Sequence, residues 1–127
     1  RSTACEAAKA SGLPVEIPER RMPAITGLAG CGIAYVFAFL HAMALGGTDA
    51  GFSYQQALDI AYSTCRGAVE VLRSEGVGPA EYLTRVTSAG GTTIRGVKAL
   101  EEGGLTPTVM EAINAAAERA KEIESEA

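Results

Sequence analysis

The feature that most constrains this chain is the stretch from Ile25 to Gly47, which contains no charged side chain unless His41 is protonated. Its length approaches the roughly 20 apolar residues that cross a bilayer. Four glycines interrupt it, at positions 27, 30, 32 and 46, and no Lys or Arg follows it closely. A buried helix preceded by a glycine turn is therefore favoured over a membrane span. We expect this helix to lie in a core or between two subunits, where every face meets protein.

Composition narrows the class of protein. A length of 127 residues fits one compact domain, and 47% hydrophobic residues, 20% charged residues and a net charge of -4 are typical of a soluble globular protein without a basic surface for nucleic acid. The three cysteines, Cys5, Cys31 and Cys65, form no C-x-x-C pair, so we predict neither a disulfide framework nor a zinc site. A reducing, cytoplasmic setting is expected. The chain opens at Arg1 without an initiator Met or a signal-type segment, which favours a start within a longer protein.

The first residues carry the one strand-like pattern in the chain. Residues 4–10 predict a short helix that ends before Pro14, and Val15–Ile17 alternates like a brief strand. A lone strand leaves its backbone donors unpaired, so 14–18 is expected to join a sheet whose other strands lie elsewhere.

Helical periodicity governs the rest of the sequence. Ser53 and Gln56 match a capping box at the start of a long helix, and the adjacent Gly103 and Gly104 end a later one. Before residue 76 we predict the helices Glu19–Ile25, Ile33–Leu45 and 53–75, with a break at glycines 27, 30 and 32 between the first two. Three more helices follow: one opens at Pro79 and runs through Val86, and one is capped by Thr92 or Thr93. The last helix begins at Thr106-Pro107 and ends in a frayed acidic tail after Ile123.

The most specific local feature is the turn Val86–Ile94, which is rich in glycine and hydroxyl groups and runs directly into a helix. The adjacent Gly90 and Gly91 let backbone amides converge without Cβ obstruction, and the helix N-terminus adds unsatisfied donors. This pattern indicates a site for a carboxylate or phosphate, although a capped helix start after a Gly-Gly turn explains it as well. Hydroxyl groups suited to an amine or imine beside that anion are present on Ser88, Thr92 and Thr93.

A second glycine-rich segment, Gly27–Gly32, matches a dinucleotide-binding fingerprint poorly. The third glycine of G-x-G-x-x-G is replaced by Tyr35, and no buried strand precedes the segment. Its glycines are expected to let two helices approach closely. Cys31 is interpreted as a small buried residue rather than a reactive thiol, and Tyr35 and His41 as polar groups with hydrogen-bond partners beside the core.

The segment from Val86 to Glu101, VTSAGGTTIRGVKALE, resembles the signature of the pyrroline-5-carboxylate reductases. The resemblance extends to Ile25–Leu28, Ala34–Phe37, the pair Gly46-Gly47 and Glu102–Leu105, and so covers nearly the whole chain.

This resemblance implies an all-α fold, namely a helical dimerisation domain like the C-terminal domain of 6-phosphogluconate dehydrogenase, over residues 19–127. Residues 1–18 would be the helix-strand end of a Rossmann domain that is otherwise missing. The implied assembly is an intertwined homodimer formed through helices 33–45 and 53–75. Assembly of these dimers into larger rings stays an open alternative. NADPH or NADH would be bound mainly by the Rossmann domain, so the fragment alone is expected to be inactive. Neither nucleic acid, membrane nor metal is an expected partner.

The family's reaction is hydride transfer to the C=N carbon of 1-pyrroline-5-carboxylate, which gives L-proline. By resemblance, the backbone of residues 90–93, Gly90, Gly91, Thr92 and Thr93, would hold the substrate carboxylate with Ser88 beside it. The hydroxyl of Thr93 would face the ring nitrogen, which makes Thr93 the candidate catalytic residue.

Several positions depart from the family pattern. Family members usually have Pro where this chain has Ala89, an acidic residue at Leu45, and an acidic or small residue at His41, and segment 29–33 has also diverged. Two alternatives therefore stay open. One is a stand-alone oligomerisation or ligand-binding module without catalysis, and the other is a paralogous reductase of a different cyclic imine.

Overall fold

The computed structural model describes residues 17–126, which are helical almost throughout and contain no strand. This confirms the all-α prediction for that part of the chain. The predicted helix over residues 4–10 and all but Ile17 of the predicted strand lie outside the described residues. In chain order the elements are a 3-10 turn Glu19–Arg21, α1 Met22–Ile25, a π-helical turn Thr26–Gly30, α2 Gly32–Asp49, α3 Tyr54–Glu75, α4 Pro79–Val86, α5 Thr92–Glu102 and α6 Leu105–Glu126.

The described residues divide into two compact units, with the boundary inside α2. Residues 17–37 and 104–126 belong to the first unit, and residues 38–103 form the second. In the first unit, α1 and the π-helical turn pack against α6. Met22 is its buried apolar side chain, with 5% of its surface exposed.

The close approach between the π-helical turn and α6 depends on Gly27. A Cβ at this position would lie 2.5 Å from the carbonyl oxygen of Ile113 and 3.0 Å from the amide nitrogen of Ala117. Since real Cβ contacts are longer than this, a larger residue would force the two elements apart. The predicted break in the helix is wrong, because Gly27 supplies space rather than a turn. The backbone stays helical, and the Cys31 amide donates to the carbonyl of Thr26 at 2.8 Å.

Tyr35 joins α2 to α6 within the same unit. Its hydroxyl donates to the carbonyl of Ala112 at 3.1 Å, so the prediction of a partnered tyrosine is confirmed. Partial desolvation and, secondarily, the neighbouring Cys31 raise the pKa of Tyr35 above its ordinary value of 10.0. The phenol is therefore protonated at neutral pH and available as the donor of this bond.

The second unit is held by small residues where α2 and α3 cross. Ala44, Ala57 and Ala61 are buried, and a Cβ at Gly47 would lie 2.5 Å from the Cβ of Ala57. Helix α2 does not end at Leu45 as predicted: Gly47 serves this close packing, a Cβ at Gly46 would meet nothing within 4 Å, and the helix continues through both to Asp49.

Helix α3 has the ends that its sequence predicts. The amide of Gln56 donates to Ser53 Oγ at 3.1 Å, and the Ser53 amide donates to Gln56 Oε1 at 3.0 Å, which confirms the capping box. At the other end, Gly76 has φ +66 and its amide donates to the carbonyl of Leu72 at 3.0 Å. Both termini of α3 are thus satisfied within the protein.

The last helix is longer than predicted at its C-terminal end. It continues to Glu126 rather than fraying after Ile123. The guanidinium of Arg119 lies 2.9 Å from the carboxylate of Glu122 and 3.5 Å from that of Glu126, so one cation spans the final turns. The first of these pairs joins residues one turn apart and adds a modest stabilisation to the helical tail.

Helix α2 exposes a large apolar surface in the described chain. Exposure reaches 64% for Phe37, 52% for Val36 and 51% for Leu45. The helical run Glu19–Asp49 is long and apolar enough to cross a membrane, and only 6% of its most apolar window is buried. Of the two expected settings for this helix, the core of a single chain is not observed. Exposed large apolar side chains of this kind are typical of a site of association.

Candidate substrate site at the start of helix α5

The segment between α4 and α5 is a tight turn with a defined geometry. After α4 ends at Val86, the Gly91 amide donates to the carbonyl of Ser88 at 3.1 Å, and Gly90 has φ +68. A positive φ at the third position of such a four-residue turn is the signature of type II and favours glycine. Gly90 is therefore required by the backbone of the turn, as its place in the sequence suggests.

Helix α5 starts one residue earlier than predicted. Gly91 is its N-cap, with φ -81 and ψ 179, and it provides no side-chain hydrogen bond to the helix. The prediction of a cap at Thr92 or Thr93 is wrong because the turn already leaves Gly91 in the extended conformation that an N-cap needs. Thr92 and Thr93 become the first two helical residues. The amides at this position of a helix have no acceptor within it.

Ser88 and Gly91 are brought together by the turn. A Cβ at Gly91 would lie 2.5 Å from Ser88 Oγ, so the absence of a side chain there lets the serine hydroxyl lie over the backbone. The Gly91 amide is already used by Ser88 and is not available to a ligand. For the amides of Gly90, Thr92 and Thr93, residues 17–126 supply no acceptor through a turn or a side chain.

The electrostatic character of the site comes from the helix terminus. Arg85, before the turn, lies 3.2 Å from Glu81 and stacks 5.5 Å from the centre of the Tyr82 ring. Lys98 lies 3.7 Å from Glu102. Both cations are thus engaged in exposed pairs that contribute little. The N-terminal end of the α5 dipole, with its free amides, adds positive potential at the turn, and Arg95 carries a further positive charge near the start of the same helix.

Ser88, Gly90, Thr92 and Thr93 are exposed, and Gly91 is half-buried. The described chain therefore presents these groups on its surface rather than enclosing them. An anion bound there would need a cover from another domain or another subunit to be shielded from water.

The segment Gly27–Gly32 does not provide a dinucleotide site. The backbone of α6 covers Gly27, and the segment itself is helical and follows a helix instead of a strand. Phosphate binding by a glycine loop requires free amides that converge at a strand-to-helix turn. The expectation that glycine serves close helix packing is confirmed at Gly27, whereas a Cβ at Gly32 would meet nothing within 4 Å.

The remaining chemically versatile side chains form separate contacts. His41 Nδ1 lies 2.7 Å from the hydroxyl of Tyr54, which confirms the predicted hydrogen-bond partner, but His41 is exposed rather than beside the core. Cys31 and Cys65 are free, half-buried thiols, and Cys65 Sγ lies 3.9 Å from Met43 Sδ. No carboxylate forms an ion pair with His41 in the described part of the chain, so nothing there builds a Ser-His-Asp arrangement.

Taken together, these features define a class: an all-helical association domain that carries an open helix N-terminus suited to a small anion. The sequence profile of pyrroline-5-carboxylate reductase dimerisation matches residues 19–123. The chain belongs to this family, which confirms the resemblance found in the sequence.

Individual relatives agree with this assignment. The chain is 47% identical over 123 residues to a pyrroline-5-carboxylate reductase of Aquifex aeolicus, covering 97% of this chain and 46% of the relative. Crystal structures of 1-pyrroline-5-carboxylate reductase from Streptococcus pyogenes match with a TM-score of 0.83 and 32% identity, covering 91% of this chain and 47% of that one. The Plasmodium falciparum pyrroline carboxylate reductase with NADP bound gives a TM-score of 0.81 and 32% identity, covering 84% and 41%. The chain thus spans about half the length of the relatives that it matches.

Proposed function

We propose that this chain is the C-terminal dimerisation and substrate-binding domain of a pyrroline-5-carboxylate reductase. The whole protein would reduce 1-pyrroline-5-carboxylate to L-proline with NADPH or NADH in the cytoplasm. Family membership supports this function, and so does the length of the relatives, which leaves room for a second domain. That domain, upstream of residue 19, would bind the cofactor, since Gly27–Gly32 is unsuited to a dinucleotide.

The observation that carries the proposal is the open N-terminus of α5 beside the Ser88 turn. We assign the substrate carboxylate to the amides of Gly90, Thr92 and Thr93. Gly91 contributes by lacking a side chain, because a Cβ there would displace the Ser88 hydroxyl. Free amides at a helix start bind carboxylates through both hydrogen bonds and the helix dipole.

Thr93 is assigned the role of contacting the ring nitrogen. When bound, the reduced nicotinamide supplies a hydride to the imine carbon, and the C=N electron pair moves onto nitrogen. The Thr93 hydroxyl can accept from the N–H of the protonated imine and donate to the lone pair that develops. A contact that strengthens as the amine forms stabilises the transition state more than the ground state.

We infer that two copies of the chain associate through α2 and α3, intertwined as helices 33–45 and 53–75. The supporting observation is that both helices carry exposed apolar side chains, including Ile60, Tyr62 and Val69 of α3 with exposures of 51%, 50% and 55%. Joining these faces would remove apolar surface from water at about 25 cal/mol per Å². The second domain of one subunit could then cover the α5 site of the other.

The proposal is tested by assaying imine reduction in the full-length protein with Thr93→Ala and, as a matched control, Thr93→Ser. We expect Thr93→Ala to lower kcat/KM by about 30- to 1,000-fold, the equivalent of roughly 2–4 kcal/mol for one lost donor. Thr93→Ser keeps the hydroxyl and should retain most of the activity. An alanine variant with unchanged kcat/KM would remove Thr93 from this role.

The same assay separates the alternatives. A full-length protein that binds the cofactor yet reduces no imine would indicate a non-catalytic module. Faster reduction of a six-membered cyclic imino acid than of the five-membered substrate would indicate a paralogous reductase.

A further inference from the structure

Arg95 is a cation at the positively polarised end of helix α5. The helix begins at Thr92, so Arg95 is its fourth residue, and the side chain of Arg95 is exposed. The N-terminal end of a helix dipole favours anions and opposes cations. No acidic residue lies in the first turn of α5, so the first charge of this helix has the sign that its position disfavours.

No carboxylate compensates Arg95 in residues 17–126. It takes part in none of the ion pairs of this part of the chain. The residues one turn away on either side are uncharged or basic, namely Gly91, Thr92, Lys98 and Ala99. Four other basic side chains pair with a carboxylate about one turn away, at distances of 2.9–3.7 Å: Arg66, Arg85, Lys98 and Arg119. The guanidinium of Arg95 is therefore open to an anion that these residues do not supply.

Helix geometry directs Arg95 toward the uncapped amides. The Cα–Cβ bonds of a helix tilt toward its N-terminus, so the side chain of Arg95 starts out toward Gly91, four residues earlier. Four residues rise about 6 Å along the helix axis, which an extended arginine side chain spans. An anion held by the amides of Thr92 and Thr93 is therefore within reach of the guanidinium.

We propose that Arg95 binds the carboxylate of the imino-acid substrate, together with the amides at the start of α5. This inference rests on the proposed function, which assigns that carboxylate to the amides of Gly90, Thr92 and Thr93. A guanidinium binds a carboxylate through two parallel hydrogen bonds and stays charged at neutral pH. The carboxylate keeps its charge throughout hydride transfer, so the contact stabilises the bound substrate and the transition state equally. Arg95 thus contributes to substrate affinity rather than to the chemical step.

The test compares Arg95→Gln with Lys98→Gln in the full-length protein, by steady-state kinetics of imine reduction. Lys98 is the matched control, because it lies one turn further along α5 and pairs with Glu102 at 3.7 Å. Arg95→Gln should raise KM for 1-pyrroline-5-carboxylate at least about fivefold, the strength that an exposed ion pair can reach, and leave kcat unchanged. Lys98→Gln should change neither value. Arg95→Lys, which keeps the charge, should retain much of the affinity.

Product inhibition identifies the group that Arg95 recognises. L-Proline and L-prolinamide share the ring and its nitrogen, but L-prolinamide lacks the charged carboxylate. Arg95→Gln should raise the inhibition constant of L-proline about fivefold and that of L-prolinamide less than about twofold. Equal changes for the two inhibitors, or a rise in KM for NADPH in place of KM for the imine, would overturn the assignment of Arg95 to the substrate carboxylate.

The two proposals fail in different ways. An unmodified full-length protein that reduces no 1-pyrroline-5-carboxylate would contradict the proposed function and, with it, the ligand assigned to Arg95. Unchanged KM in Arg95→Gln, in an enzyme that Thr93→Ala impairs, would overturn the role of Arg95 alone. Arg95→Met, which keeps an unbranched side chain without the charge, serves as the second variant if Arg95→Gln does not fold.

Discussion

Two helix starts in the same unit, those of α3 and α5, are built in opposite ways. At the start of α3 the Gln56 amide donates to Ser53 Oγ, and the Ser53 amide donates to Gln56 Oε1. Gly91 begins α5 with no side chain to offer. Glycine is itself a favourable N-cap residue, so the missing cap side chain costs α5 only about 0.2–0.5 kcal/mol relative to a serine cap such as that of α3. The start of α4 at Gly78 also lacks a side-chain cap, so an uncapped start alone does not mark a site, and the proposed substrate site depends in addition on the Gly90-Gly91 turn before α5.

Blocking the uncapped amides at the start of α5 with a side chain of the protein should produce the largest effect. Gly91→Asp combined with Ser88→Ala, which removes the hydroxyl that a Cβ would meet at 2.5 Å, places a carboxylate of the protein on the α5 amides. We expect kcat/KM of the full-length enzyme to fall at least about 100-fold while the free energy of unfolding rises by only about 0.2–0.5 kcal/mol. Steady-state kinetics and urea unfolding measure the two quantities, and Ser88→Ala alone is the control. Retained activity would show that the substrate does not use these amides.

Alanine variants of Gly90 and Gly76 separate the effect of backbone strain on stability from an effect on kcat/KM. Their φ values are +68 and +66, and a Cβ at either would meet no atom within 4 Å. Alanine at either position should cost about 1–2 kcal/mol of stability, since both require a left-handed residue. Only Gly90→Ala should also lower kcat/KM, because it distorts the turn before α5. Equal activities of the two variants, measured at a temperature where both are folded, would contradict a substrate site at this turn.

Removing the N-cap side chain of α3 is the converse experiment. Ser53→Ala should lower the free energy of unfolding by about 1 kcal/mol and leave kcat/KM unchanged. Urea unfolding and the reductase assay give both values. A loss of activity larger than the loss of folded protein would mean that the two helix starts do not differ in function.

The smallest effect is expected from Ala89→Pro. Ala89 occupies the second position of the turn, where proline is favoured, and its amide donates to no acceptor in residues 17–126. Proline should raise the free energy of unfolding by about 0.5 kcal/mol through a more restricted unfolded chain. A decrease would show that the turn needs a different φ at this position.

What the sequence predicts correctly is local. The capping box of α3, the glycine at its end and the start of α4 at Pro79 each depend on residues a few positions apart, and all three are present. The turn at 86–94 is predicted as a feature, but its details are not. Which residue caps α5 depends on the backbone that the preceding turn delivers, and this is not encoded in one residue type.

Glycine is where sequence reasoning fails most clearly. The chain is predicted to break at Gly27 and the helix α2 to end before Gly46, yet Gly27 and Gly47 both lie in helical backbone with neighbouring atoms close to where a Cβ would lie. The glycines that do bend the chain, at positions 51, 76, 90 and 104, have positive φ. Distinguishing the two uses requires the partner element, which lies far away in sequence.

The contact at Gly27 has a consequence for how the first unit responds to change. Gly27 touches α6 at Ile113 and Ala117, and Tyr35 binds the same helix at Ala112. A bulkier residue at 27 would push α6 away from the π-helical turn and so lengthen the hydrogen bond from the Tyr35 hydroxyl to Ala112. The two contacts should therefore fail together, so that losing both costs less than the sum of losing each alone.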